Sequence, residues 1–233
     1  MGLYDRDYVR ENVTAYEQER VQKRESSLAT FIKQTYQLFA ASLLAGAAGA
    51  YLGMGIAAVA QYYWGFVILE FALLFGLMFS KNKPGLNLVM LFGFAFVSGL
   101  TLSVIIGHFV AAGAGSVVAN AFILTTVAFG ALSMFAMNTT RDFTMMGKML
   151  FVTLIVVVVG SLLNAFWLHN PWMQMGIASV SAILFSAFIL YDTQNIIRGN
   201  YESPVDGAVA LYLDFINLFT SLLQILGIFG NEE

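Results

Sequence analysis

Seven stretches of about 20 consecutive apolar residues run through this chain, and they constrain its fold more than any other feature. A helix rises about 1.5 Å per residue, so each stretch is long enough to cross the hydrocarbon layer of a membrane. Only 11% of the residues are charged, against roughly 25% in an ordinary soluble domain. The pattern predicts an all-α, polytopic membrane protein with seven transmembrane helices. The predicted helices cover residues 34–55, 58–79, 86–107, 117–137, 149–168, 173–197 and 207–229.

The chain divides into a charged N-terminal part and a long apolar part. Residues 1–30 alternate acidic and basic side chains, and no apolar stretch follows the start, as a cleavable signal peptide would require. We therefore expect residues 1–30 to form a polar cytoplasmic tail and residues 31–230 to form one transmembrane domain. All three prolines, Pro84, Pro171 and Pro204, fall between predicted helices, where a missing backbone donor does least harm.

The basic residues predict the orientation. With seven spans, all 11 Lys and Arg residues fall on one side of the membrane, and that side is expected to be cytoplasmic. The N-terminus should then lie inside the cell, and the C-terminus on the opposite side of the inner (plasma) membrane. No clustered basic face suggests nucleic acid as a partner, so the expected surroundings are the lipid bilayer, with or without a membrane-protein partner.

Three acidic residues interrupt the apolar stretches. Asp192 lies about 9 Å of helix rise before Arg198, and Asp214 lies about 10 Å beyond Gly207 on the next, antiparallel helix, so the two carboxyl groups share a depth. Glu70 is about 16 Å from the cytoplasmic end of its helix, near the middle of the membrane. Ionisable residues at such depths usually face a partner, a cavity or a pathway.

The buried acids predict a pH-sensitive cation site. No Lys or Arg lies deep enough to neutralise them, so their charge must be removed by protonation or matched by a cation. Two facing carboxyl groups titrate as a coupled unit. Carboxylate and carbonyl oxygens suit a hard divalent cation, so calcium is expected to bind transiently at Asp192 and Asp214 and to pass Glu70. Polar neighbours could hydrogen-bond the pair; they include Tyr191, Thr193, Gln194 and Asn217.

Three sequence segments form recognisable motifs, and two of them contain Asp192 and Asp214. The segment Phe185-Ser-Ala-Phe-Ile-Leu-Tyr-Asp-Thr-Gln-Asn-Ile-Ile197 resembles the sixth helix of the bacterial branch of the transmembrane Bax inhibitor motif family. Ala210-Leu-Tyr-Leu-Asp-Phe-Ile-Asn-Leu-Phe219 is similar to that family's last helix, and Gly99-Leu-Thr-Leu-Ser103 to its third. The resemblance extends over all seven helices.

This resemblance implies a fold in which six helices surround the last. It also implies that Asp192 and Asp214 act as a pH sensor and that the protein is a calcium leak without enzymatic activity. In related proteins a basic residue near the cytoplasmic end of the second helix latches the pair, and the nearest candidate in this chain is Lys81. A lysine cannot make the planar two-point contact of an arginine.

Two alternatives come from other functional classes. An intramembrane aspartyl protease would also place an aspartate after a tyrosine on one helix and a second aspartate on the next, although Asp214 does not follow a glycine-rich turn. A non-transporting protein could regulate stress survival or membrane-protein quality control through its charged tail. One packing prediction is independent of function: Gly49 and Gly53 form a small-xxx-small pair, which favours close packing of the first helix.

Overall fold

The computed structural model describes residues 3–80 and 83–229, and all of its regular elements are helices. Seven of the helices described are long and apolar enough to cross a membrane, so the predicted all-α fold with seven spans is confirmed. The α-helices are α1 (Leu3–Met54), α2 (Ala57–Gln61), α3 (Tyr63–Ser80), α4 (Leu86–Ala111), α5 (Gly115–Asn138), α6 (Gly147–Leu163), α7 (Pro171–Ile197) and α8 (Pro204–Phe229).

Helix α1 differs most from its predicted bounds. It begins at Leu3 instead of near residue 34, because residues 3–33 contain neither Pro nor Gly and are rich in Glu, Gln, Lys and Arg, which have high helix propensity. Side chains of residues 17–27 are exposed along this extension. The charged tail is therefore, in its described part, a continuation of the first transmembrane helix.

Two other spans contain breaks that hydropathy did not reveal. The second predicted helix is divided at Tyr62 into the short α2 and the longer α3. The fifth begins with a 3₁₀ turn at Thr144–Met146 and ends in a π-helical turn at Asn164–Leu168. Pro171 and Pro204 occupy the first positions of α7 and α8, where the missing N–H would have had no helical partner.

Helix α8 lies inside the bundle. It packs directly against α1, α4, α5 and α7, whereas α3 packs on α4 and α6 packs on α7. A cavity separates α8 from α3 and α6, which line its opposite wall. Leu211, Tyr212 and Leu223 of α8 are fully buried. The last helix is thus central, as the family resemblance implied.

The predicted glycine contact is confirmed at the interface of α1 and α4. A methyl group added to Gly49 would collide with the carbonyl of Phe96, and one added to Gly99 would collide with the carbonyl of Gly46. Gly53 lies similarly close to the side chain of Ser103. The two backbones approach so closely that only glycine fits, and this fixes α4 beside the central helix.

Candidate functional site

A single elongated cavity contains all three acids predicted from the sequence. Its volume is about 780 Å³, and its walls come from α3, α4, α6, α7 and α8. Glu70, Asp192 and Asp214 all line it. Tyr201, in the link between α7 and α8, lies at one end of the cavity, and Gln174 and Gln224 lie toward the other end of the helices. The cavity therefore extends along most of the length of the bundle.

Asp192 and Asp214 are next to each other. They lie on antiparallel helices joined by a short link, and their side chains are close enough to interact directly. Both residues are buried, with 5% and 3% of their surfaces exposed. Taking two carboxylates out of water without a compensating positive charge is costly, so a proton or a cation must accompany the pair.

Tyr201 is a neighbour of the pair that sequence analysis missed. Its hydroxyl donates a hydrogen bond to Oδ1 of Asp192 at 2.6 Å. Burial raises the pKa of the Tyr201 phenol above its ordinary value, so the hydroxyl remains a donor at physiological pH. Tyr201 is a loop residue, and periodicity does not indicate which loop side chains fold back onto a helix. Oδ2 of Asp214, in contrast, is buried without a hydrogen-bond partner.

Glu70 lies in the same cavity but is held by a different helix. Thr101 of α4 donates a hydrogen bond to Oε2 of Glu70 at 2.9 Å. Among the described residues, no three His, Asp or Glu side chains come together in a way that could hold a metal ion. The geometry therefore provides two acidic positions along one cavity, the aspartate pair and Glu70, in place of a closed three-carboxylate cage.

The four predicted supporting residues have different surroundings. Tyr191 and Asn217 line the cavity with the aspartates. Thr193 faces α5, where its hydroxyl donates to Ser133 at 3.3 Å. Gln194 anchors the link between α5 and α6: it donates to two backbone carbonyls and accepts from the N–H of Phe143 at 2.6 Å. Thr193 and Gln194 therefore fix α7 in place and are not hydrogen-bonded to the aspartates.

The basic residue closest in sequence to the pair is engaged elsewhere. Arg198 forms a salt bridge with Asp142 at 2.8 Å and donates to Thr144. The predicted latch, Lys81, lies outside the described residues. Among the described residues outside α7 and α8, Tyr201 is the one that donates a side-chain hydrogen bond to the aspartate pair.

One polar stripe on α8 went unnoticed in the sequence. Asp214, Asn217, Ser221 and Gln224 all line the cavity and follow the spacing i, i+3, i+7, i+10, which places them on one face of a helix. That spacing is visible in the sequence and could have identified Ser221 and Gln224. The stripe runs from the aspartate pair toward the end of the cavity that holds Gln174 and Gln224.

The chain is similar in sequence to one family of membrane proteins. The family model "Inhibitor of apoptosis-promoting Bax1" matches residues 28–231. A protein of Campylobacter jejuni is 55% identical, with all of both chains covered. Inner membrane protein YbhL of Escherichia coli is 33% identical over 87% of this chain and 93% of its own. Bax inhibitor 1 of Schizosaccharomyces pombe is 34% identical over 85% of this chain and 74% of its own.

Proposed function

Because this chain belongs to the Bax inhibitor family, and because two adjacent carboxyl groups lie in a cavity between its apolar helices, we propose that it mediates a pH-sensitive leak of calcium. In this mechanism a proton shared between Asp192 and Asp214 holds α7 and α8 together. When both carboxyl groups are ionised, they separate or attract a cation into the cavity.

The observation that carries the proposal is the contact between Asp192 and Asp214. Among the described residues neither aspartate has a Lys or Arg partner, and Oδ2 of Asp214 has no hydrogen bond. A pair used only to hold helices together would be expected to have its oxygens fully satisfied, since an unpaired buried polar atom costs about 1–3 kcal/mol. The pair instead has capacity for a proton or a cation.

The acids are suited to passage of calcium more than to its storage. Calcium takes six to eight oxygen ligands, and tight sites supply several carboxylates in a dedicated cage. The aspartate pair supplies two carboxyl groups, and Glu70 lies further along the same cavity with Thr101 as its partner. Such spaced ligands support brief, weak binding, which a conducting path requires. We therefore propose no resident metal or cofactor and no catalytic role.

The proposed location is the inner membrane, with the N-terminus in the cytoplasm. The bias of basic residues supports this orientation, and the relative YbhL is named an inner membrane protein. Single cysteines replacing Ser26 and Asn231 should react with an impermeant thiol reagent from opposite sides of the membrane. Labelling of both from one side would refute the orientation.

Calcium flux into proteoliposomes over a series of pH values tests the proposal. Wild-type protein should conduct calcium in a pH-dependent way, and both Asp192→Asn and Asp214→Asn should flatten that dependence because they remove the ionisation. Asp206→Asn is the matched control. Asp206 lies in the first turn of the same helix as Asp214, outside the cavity lining, and its carboxylate accepts a hydrogen bond from the Ser203 hydroxyl. A double Asn variant with the wild-type profile would refute the sensor assignment.

The alternative is an interaction protein without transport. The exposed, charged extension of α1 supports it, because such a helix offers a docking surface on the proposed cytoplasmic side. Deleting residues 1–25 separates the two functions. Loss of the cellular effect with intact calcium flux would favour docking, whereas loss of both would favour a structural role for the extension.

A further inference from the structure

The outer end of the cavity is crossed by a chain of amide side chains from three helical elements. Gln174 of α7 donates a hydrogen bond to Oε1 of Gln224 on α8 at 2.5 Å. Asn164, at the end of α6, donates to Oε1 of Gln174 at 3.0 Å. Both glutamines line the cavity. The amide chain therefore joins α6, α7 and α8 at the end opposite to Tyr201.

The turn that carries Asn164 is built to hold this amide chain in place. Asn164 is 5% exposed, and its Oδ1 accepts the backbone N–H of Asn170 at 2.9 Å. The turn Asn164–Leu168 is π-helical, a geometry that occurs frequently at functional sites. His169, which follows it, has φ 46°, an uncommon value for a residue other than glycine. An irregular turn thus fixes the position of one amide.

An aromatic contact joins α3 to the same π-helical turn. The ring of Trp64, near the start of α3, stacks on that of Phe166 in the π-helical turn, with centroids 5.0 Å apart. Helix α3 carries Glu70 and forms the cavity wall opposite to α8. Contacts at this end of the helices therefore connect α3, α7, α8 and the turn after α6.

The polar stripe on α8 connects this end to the acids. Gln224 lies ten residues after Asp214, which corresponds to about 15 Å of helix rise. Asn217 and Ser221 lie between them on the same face and line the cavity. A cation that leaves the aspartate pair would therefore meet side-chain oxygens at each step before it reaches Gln224.

We propose that the hydrogen bond between Gln174 and Gln224 is the outer closure of the cation path, and that the two amide oxygens form its uncharged mouth when the bond opens. This inference rests on the proposed leak. Amide oxygens are among the ligands that calcium uses, and they carry no charge to trap the ion. A neutral hydrogen bond is also easily exchanged for a bond to a hydrated cation, since its net contribution is small.

The absence of cysteine from the sequence makes a direct test clean. In proteoliposomes with the outer face exposed, an impermeant, disulfide-forming thiol reagent should modify Gln224→Cys and reduce calcium flux to the level of protein-free liposomes. A reducing agent should restore the flux. Val110→Cys is the control, since Val110 is 52% exposed, does not line the cavity, and lies near the C-terminal end of α4, on the proposed outer side. Modification of this cysteine should leave the flux unchanged.

A second pair of variants guards against misfolding of the cysteine variant. Gln174→Ala removes the closing bond and should raise flux about fivefold, the factor that corresponds to one neutral hydrogen bond. Gln174→Leu fills the space with an apolar group and should lower flux.

Full modification of the cysteine at position 224 without a change in flux would overturn the inference, and so would failure of the reagent to reach that cysteine. Unchanged flux in both Gln174 variants would also overturn it. Absence of calcium flux in the wild type would instead refute the proposed leak itself.

Discussion

Replacing Tyr201 with phenylalanine should displace the pH dependence of calcium flux while leaving the fold intact. The substitution removes one atom, the hydroxyl oxygen that donates to Oδ1 of Asp192 at 2.6 Å, and keeps the ring. A hydrogen bond to an ionised group contributes about 1.5–3 kcal/mol, and one between neutral groups contributes about 1 kcal/mol. The phenol therefore favours the charged form of the pair by about 0.5–2 kcal/mol.

The expected displacement follows from that difference. One pH unit corresponds to about 1.4 kcal/mol, so the midpoint of the flux profile of Tyr201→Phe should move upward by about one unit. The direction is upward because the variant loses a bond that stabilises the ionised pair. Flux should be measured in proteoliposomes at closely spaced pH values, with wild type in parallel.

Tyr191→Phe provides the comparison, because Tyr191 lines the same cavity without a hydrogen bond to either aspartate. Its midpoint should move much less. If the flux profile of Tyr201→Phe superimposes on the wild-type profile, or if its midpoint moves downward, then the Tyr201 hydroxyl does not stabilise the ionised aspartate pair.

Three further predictions concern stability, measured by unfolding in detergent. Gly99→Ala should destabilise by about 1–3 kcal/mol because the new methyl group collides with the α1 backbone, whereas Gly107→Ala, in open space on the same helix, should not. Gln194→Leu should cost about 1–3 kcal/mol, since it removes two short hydrogen bonds between the buried Gln194 side chain and the link between α5 and α6. Arg198 holds the pKa of the Asp142 carboxyl at about 2. The contribution of this ion pair to the free energy of unfolding is therefore present above pH about 4 and is lost as the pH falls toward 2. Asp142→Asn should remove that acid dependence.

The transmembrane helices could be predicted because hydrocarbon thickness imposes a length on each apolar stretch. The contact between Asp192 and Asp214 was also accessible, since a short link between antiparallel helices places residues of equal depth side by side. The helical extension of α1 was not predicted, because its exposed polar residues leave no hydrophobic period. The break at Tyr62 and the π-helical turn at Asn164–Leu168 depend on packing between distant segments, which hydropathy does not encode.

Polar partners within the cavity were harder to predict than the acids themselves. Thr193 and Gln194 neighbour Asp192 in sequence but lie on the side of α7 that faces α5, because successive helical residues are about 100° apart. Tyr201 and Gln224 are more distant in sequence and yet line the cavity. Adjacency along a helix therefore misleads where spacing by three, four or seven residues would identify a shared face.

The two ends of the cavity differ in chemistry, and this difference determines what pH can control. The end near the link between α7 and α8 holds ionisable groups, Asp192 and Asp214, with a phenol that stays protonated. The opposite end holds Gln174 and Gln224, whose amides do not titrate in the physiological range. A change of pH therefore acts directly on the aspartates and on Glu70 but not on the amides, which must follow through α7 and α8, since each of these helices carries a member of each pair. Both helices extend from one pair to the other, so separation of the aspartates is transmitted to the amides by rigid helical segments of about 15 Å in α8 and about 27 Å in α7.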